Sequence, residues 1–250
     1  MGTFGDVRIG PVQIHAMKVS EGFELHPDGV DGWDSGSEIR RDEVARAIAH
    51  GSFDAPGFQT ARVVIIPGRC VAPSLEKLGW YRSQLIGLLA DGGSARVMVD
   101  EYGETQWATA RLGARTRWKS FGGAGYADFQ LTLWCPDPRK FGSARTFGPA
   151  SSVSAHHFGN FPAAPVLTVE GTVSGYTING PDGKGFVVTA ALTSGHPHVI
   201  DMATGRLSID GVVQVGAVSR AETWTVPPGQ QVTMSVTAGT LTAEVLDTYI

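Results

Sequence analysis

The feature that most constrains this chain is an apolar period of two, cleanest from Tyr126 to Cys135. Ala127, Phe129, Leu131, Leu133 and Cys135 fall on one side, and Tyr126, Asp128, Gln130, Thr132 and Trp134 on the other. Successive side chains of an extended backbone point to opposite faces, so this alternation predicts a strand with one buried face. Comparable runs occur at Val7–His15, Arg62–Ile66, Arg96–Val99, Val166–Val173, Phe186–Ala190, Val232–Thr237 and Leu241–Leu246. Turn residues punctuate them, as in Asn179-Gly180-Pro181-Asp182-Gly183, Ala203-Thr204-Gly205 and Ala238-Gly239. The expected class is mainly β.

One stretch departs from that period. Leu75, Leu78, Tyr81, Leu85, Leu88 and Leu89 recur at steps of three and four, predicting an amphipathic helix over about 75–89. Ser74 is placed to cap it, Glu76 lies in its first turn, and Asp91-Gly92-Gly93 stops it. Gly79 and Gly87 each weaken such a helix by about 1 kcal/mol relative to Ala, so its stability must come from packing on a sheet. A shorter helical pattern, Val44, Ala45 and Ile48, runs over Asp42–His50.

The chain has 250 residues, enough for two ordinary domains, and its composition shifts along its length. Residues 151–250 carry three bases (Lys184, Arg206, Arg220) and seven acids, which accounts for the whole net charge of −4. Pro136 and Pro138 end a strand, because proline cannot donate to a ladder, and a Gly/Ala/Ser-rich stretch follows. The expected division is a first domain over 1–142, a linker over 143–154 and a second domain over 155–250. The second reads as short strands without helical pattern, which fits an antiparallel sandwich.

Several chemistries are weighed and set aside. A net charge of −4 argues against a protein that grips nucleic acid, since phosphate binding needs a basic excess. Cys70 and Cys135 sit in apolar strand-like runs and read as buried free thiols. His196-Pro197-His198 with Asp201 resembles a zinc cluster, but the aspartate is one residue too far along, so a polar strand start is the plainer reading. His156-His157 lies just past the expected linker and reads as a solvated pair with diverging side chains. No Gly-x-Ser-x-Gly elbow and no phosphate loop occurs; Gly180–Gly185 and Gly122-Gly123-Ala124-Gly125 read as turns before strands. No catalytic, cofactor-binding or metal-binding residue is assigned, and no enzyme is expected.

One charged feature stands out. In a strand, Arg115, Arg117 and Lys119 share a face opposite Thr116 and Trp118. They make either a solvated face or one that meets an acidic neighbouring subunit or phosphates. Trp224, Tyr176 and Tyr249 raise sugar binding, although core filling is the default for aromatic residues in a sandwich. Met1 to Gly10 alternates like folded strand instead of a basic-then-apolar leader, and no apolar run of about 20 residues occurs, so no membrane insertion is expected.

Taken in order, several short motifs resemble the distal tail proteins of siphophages, the siphovirus-type tail component family. They are Gly32-Trp33-Asp34-Ser35, His50-Gly51-Ser52-Phe53, Ala61-Arg62-Val63-Val64 with Gly68, the helix from Leu75, and the strand pair Ala95–Glu101. Phe129 to Gly142, with Trp134-Cys135-Pro136-Asp137-Pro138, is the most family-like segment. Asp201 to Arg206, Ile209-Asp210-Gly211 and Pro227-Pro228-Gly229 fit the family's second domain. The resemblance implies an N-terminal β-sandwich with a helix that forms a hexameric ring, and a C-terminal galectin-like or jelly-roll sandwich. It implies a virion protein of the tail tip, assembled in the host cytoplasm, joining the tail tube protein to a tail-tip or tail-associated protein, with the tape measure protein as a further partner. Genome DNA would cross the ring only in transit. Arg115, Arg117 and Lys119 would face a neighbouring subunit or the lumen. The alternatives are a carbohydrate-binding module with Trp224 as its contact, a wall hydrolase using unassigned carboxylates, or another minor tail or tube protein.

Overall fold

A computed structural model describes residues 4–121 and 125–250. The expected turn at Gly122-Gly123-Ala124 lies outside the described residues. The fold is mostly β with one α-helix among the described residues, and the chain divides into two compact units, Met1–Lys140 (with Ile250) and Phe141–Tyr249.

The first unit contains β1 (Phe4–Ile9), β2 (Val12–His15), β3 (Gly22–Leu25), β4 (Ile39–Arg40), β5 (Phe58–Gln59) and β6 (Arg62–Val71). It continues with α1 (Leu75–Gly87), β7 (Ala95–Glu101), β8 (Glu104–Leu112), β9 (Arg117–Ser120) and β10 (Tyr126–Cys135). Seven strands pair in the cycle β1-β2-β3-β6-β10-β8-β7 and back to β1. The N-terminal unit is therefore a closed barrel, where two facing sheets were expected. Closure rests on Leu133↔Leu112 and Trp134↔Arg111 between β10 and β8, a long-range register that no local pattern reveals. Closing also removes sheet edges, which an open sandwich would leave.

The alternation of Tyr126–Cys135 is realised as foreseen: β10 pairs with β6 along all ten residues, and Ala127, Leu131, Leu133 and Cys135 are wholly buried. Gly68 sits inside β6 opposite Phe129, whose ring occupies the space a side chain would need. Val7–His15 is two strands joined by a turn at Gly10, whose φ of +54° suits glycine. Helix α1 starts at the foreseen cap, with Ser74 Oγ accepting from Lys77 N at 3.2 Å. It ends two residues early, at Gly87, because Leu88 is extended and Leu89 has a φ of +56°. Leu78 and Leu85 join the barrel core.

In the second unit one sheet runs, in spatial order, Val212–Val213, Arg206–Ile209, His198–Asp201, Val166–Glu170, Thr240–Tyr249 and Lys140–Ala150. The other runs Ser152–Ala155, Val232–Val236, Tyr176–Asn179, Gly185–Val188 and Val218–Ala221. Apolar residues from both sheets share one core, including Leu167, Ile200, Val245, Ile178, Phe186 and Met234. The expected linker 143–154 is strand instead: Lys140–Ala150 and Ser152–Ala155 enter different sheets, and Val153 and Ala155 are buried. Glycine and serine content misread it, since small residues also suit closely packed strands.

Candidate interaction surface

Between β3 and β6 the chain leaves the barrel as a long arm. Its root is held by Arg62, a charged residue only 1% exposed. Arg62 Nη1 donates to the carbonyls of Gly32 (2.7 Å), Trp33 (3.0 Å) and Ser35 (2.6 Å), and Nε donates to Pro138 O at 2.8 Å. A guanidinium in a low-dielectric site needs such a set of acceptors to offset its lost hydration. Gly32, with a φ of +76°, lets the loop pass where a Cβ would collide with the Val63 carbonyl.

Beyond the root, Ile39↔Gln59 and Arg40↔Phe58 pair β4 with β5, and the arm closes again at its tip. There Ala45 bridges Ser52, Phe53 N donates to Val44 O at 2.9 Å, and Arg46 N donates to Gly51 O at 3.1 Å. The helical pattern expected over Asp42–His50 is thus a hairpin tip. The steps from Val44 to Ile48 mimic a helix, but no surface lies against them to bury that face. Ile39, Val44, Ile48, Phe53 and Phe58 are each at least 60% exposed. A two-stranded ribbon carrying this much bare apolar surface has little core of its own and is suited to contact with another protein.

The barrel's outer face carries a transverse row of alternating charge. Lys119 on β9 stands opposite Asp128 on β10, Asp128 opposite Arg69 on β6, Arg69 opposite Glu24 on β3, and Glu24 opposite His15 on β2. Arg69 Nε donates to Asp128 Oδ1 at 2.9 Å, and this carboxylate holds the guanidinium firmly protonated. At the far end Asp6 Oδ2 lies 3.0 Å from His15 Nδ1 and accepts from Gln13 Nε2 at 2.8 Å. Partial burial works to raise the Asp6 pKa; the Ala16 N–H, Gln13 and His15 outweigh it and hold the carboxyl below its usual range.

Of the three aligned cations expected from the sequence, the structure places Arg117 and Lys119 in β9, with Arg115 in the irregular stretch just before it. All three are exposed, whereas Trp118 faces inward against the barrel core. Lys119 Nζ stands 5.4 Å from the centroid of the Phe121 ring. Between β9 and α1 lies a depression of about 300 Å³ lined by Leu75, Leu78, Gly79, Arg82, Trp118 and Phe121, with Ser120.

The other candidates part company. His198 is buried, its Nδ1 3.1 Å from Tyr176 Oη, while His196 is exposed and pairs with Asp210 at 2.7 Å. Asp201 instead caps its own turn, accepting from Ala203 N and Thr204 Oγ1. Among the described residues no group of three or more His, Cys, Asp or Glu side chains is arranged to hold a metal. His157 is not solvated: it is 2% exposed, with Nε2 3.1 Å from Val226 O and Nδ1 accepting from Gly159 N at 3.0 Å. His156 packs between the rings of Phe147 and Phe158. Trp224 and Tyr176 are core residues, which removes both as sugar platforms; the Trp224 ring lies against Gly180. Cys70 and Cys135 are buried and free. Among the described residues no helix is long and apolar enough to cross a membrane.

No protein-family model matches the chain, and no curated protein matches it. Among solved structures it is similar to the Dit protein of phage SPP1, described as a paradigm of the hub adsorption apparatus in phages infecting Gram-positive bacteria. The TM-score is 0.75 at 16% identity, over 91% of this chain and 94% of that one. It is also similar to a chain of the phage p2 baseplate in its activated conformation with strontium, with a TM-score of 0.50 at 10% identity over 96% and 97% of the two chains. At such identities the likeness is one of fold, and at that level the chain matches the siphophage distal tail proteins that its sequence motifs resemble.

Proposed function

We propose that this chain is a structural virion protein, the distal tail hub of a siphophage. Six copies close a ring that joins the tail tube to the tail tip or baseplate, and DNA passes through the ring at ejection. The observation that carries this reading is the likeness of fold to the SPP1 hub protein over more than nine-tenths of both chains, in agreement with the order of short motifs along the sequence. In this reading the barrel unit builds the ring through head-to-tail contacts, which close when the rotation between neighbours does. The second unit acts as a galectin-like sandwich. The tail tube protein docks on one side, and the tail-tip or tail-associated protein, with the tape measure, on the other. Residues 1–150, which build the ring in this reading, have no basic excess, and this suits DNA in transit, since a lumen that gripped phosphate would slow its passage.

The test is the mass of the intact chain in solution, with negative-stain images of the same fraction. A six-membered ring with an open lumen is the expected result; a monomer at every concentration, with or without the tube protein, overturns it. Stoichiometry in virions separates a hub from a tube protein, because a hub occupies one ring and a tube protein many.

A further inference from the structure

We infer that Tyr102, at the tip of the β7–β8 hairpin of one copy, seats its ring in the groove between α1 and β9 of a neighbouring copy. The inference rests on the ring reading above and names one contact within that ring.

Two surfaces carry it. The first is the hairpin tip. Tyr102 and Gly103 both take left-handed backbone, with φ of +46° and +85°, the two-residue turn that suits the twist of paired strands. Glycine or asparagine fits such a position, whereas a bulky side chain there carries strain. Tyr102 is also 73% exposed. Strained backbone and a bare aromatic ring both cost the isolated chain stability, and a partner that buries the ring offsets them. Residues 100–104 hold three acids (Asp100, Glu101, Glu104) and no base, with Asp100 paired to Arg8 at 3.0 Å.

The second is the groove of about 300 Å³, whose lining is apolar apart from Ser120 and one charge, Arg82. Glu76, the only acid on α1, does not line it. On its other side β9 pairs only with β10 among the described residues, which leaves an open edge, and residues 112–125 hold three bases and no acid. A slot walled by Leu75 and Trp118 and rimmed by cations admits an aromatic ring carried on an acidic segment. The two surfaces stand at opposite ends of β1. Phe4 pairs with Glu101 beside the hairpin tip, and a Cβ at Gly10, just past the other end, would lie 3.9 Å from Leu88 at the close of α1. A strand of this length spans about 20 Å, so the tip cannot reach the groove of its own copy. A knob and a slot at opposite ends of one unit make a head-to-tail contact, the kind that closes a ring.

The experiment mixes two preparations of the full chain, one carrying Tyr102→Cys and the other Gly79→Cys, each with its own affinity tag, and treats the assembled mixture with a short bifunctional maleimide. Gly79 lines the groove and is exposed, and a Cβ built there meets no atom within 4 Å, so the groove variant folds. Cys70 and Cys135 are buried and do not compete. The expected result is a cross-link joining the two tagged chains, absent when Val215→Cys, 97% exposed in the second unit, replaces Gly79→Cys. In parallel, Tyr102→Asn suits the left-handed turn and removes the ring, and it should lower the assembled fraction at fixed concentration at least tenfold. Tyr102→Phe keeps the ring and should leave that fraction within about twofold of the parent. A six-membered assembly that forms no Tyr102→Cys to Gly79→Cys link and ignores Tyr102→Asn overturns this docking and leaves the ring intact. A monomer at every concentration overturns both.

Discussion

In the second unit the Arg145 guanidinium grips a fully buried carboxylate, with Nε 2.8 Å from Asp247 Oδ1 and Nη2 2.8 Å from Asp247 Oδ2. Phe158 N donates to Asp247 Oδ1 at 2.7 Å, and the Phe158 ring lies 4.0 Å from the guanidinium carbon. Burial alone would raise the Asp247 pKa; Arg145 and the Phe158 N–H outweigh it and hold the group below its usual range.

A carboxylate whose pKa is lower in the folded than in the unfolded state stabilises the fold above the unfolded value, and that stability is lost as pH falls through the folded one. Arg145→Ala leaves the Asp247 charge buried without its partner and should cost about 3–5 kcal/mol of unfolding free energy at pH 7. Asp247→Asn should flatten the acid limb of the stability curve below about pH 4. Urea titrations of both variants between pH 3 and 7 check this. An Arg145→Ala loss below about 1 kcal/mol would show that water reaches the site.

The two buried charges also show what the sequence could and could not reveal. Arg62 heads a strand in phase with Val64 and Ile66, and Asp247 follows Leu241, Ala243 and Val245 in phase, so both stand at core-facing positions of an otherwise apolar alternation. That phase was the available signal, and a polar residue on it implies a built set of partners. The strands of Tyr126–Cys135 and the Ser74 cap were legible because they depend on neighbours a few residues away. The barrel was not. It closes because β8 meets β10 at Leu112 and Leu133, and because residues 113–116 break the line between β8 and β9. The basic face of Arg117 and Lys119 was legible from alternation, but the groove and open edge beside it depend on where α1 packs.

Arg62→Met should detach the arm's root. The variant leaves the carbonyls of Gly32, Trp33, Ser35 and Pro138 without this donor, each buried acceptor costing about 1–3 kcal/mol when nothing replaces it. Arg62→Lys should recover little, because an ammonium cannot match the planar fork that spreads over these carbonyls. Limited proteolysis should cut between residues 36 and 59 faster in the variant than in the parent, at a protein concentration where both are folded by circular dichroism. Equal cutting rates would mean that β4 and β5 hold the arm without Arg62.

The thiols should be inert in the native protein. Burial pushes the Cys70 pKa up to about 12 and the Cys135 pKa up to about 11, and the thiolate is the reactive species. At pH 8 an aromatic disulfide reagent should release close to nothing from native protein and both thiols per chain in denaturant. Rapid reaction of one thiol would mark local opening of β6 or of the end of β10.

His198 should make the second unit sensitive to mild acid. Burial holds its pKa below the ordinary histidine value, with the Ala191 backbone working the other way, and Tyr176 Oη lies against its Nδ1. Between the folded and unfolded pKa values the unfolded chain binds the proton and the folded one does not. Stability is therefore fully present above about pH 6.5 and declines as pH falls below it. Asp247 acts in a lower window, so the two contributions separate on the pH axis. His198→Gln keeps a polar partner for Tyr176 and removes the titration, so the urea midpoint should become level between pH 7 and 5 while the steeper loss below pH 4 persists. If the variant keeps the parent's slope between pH 7 and 5, the proton is taken up at a group other than His198.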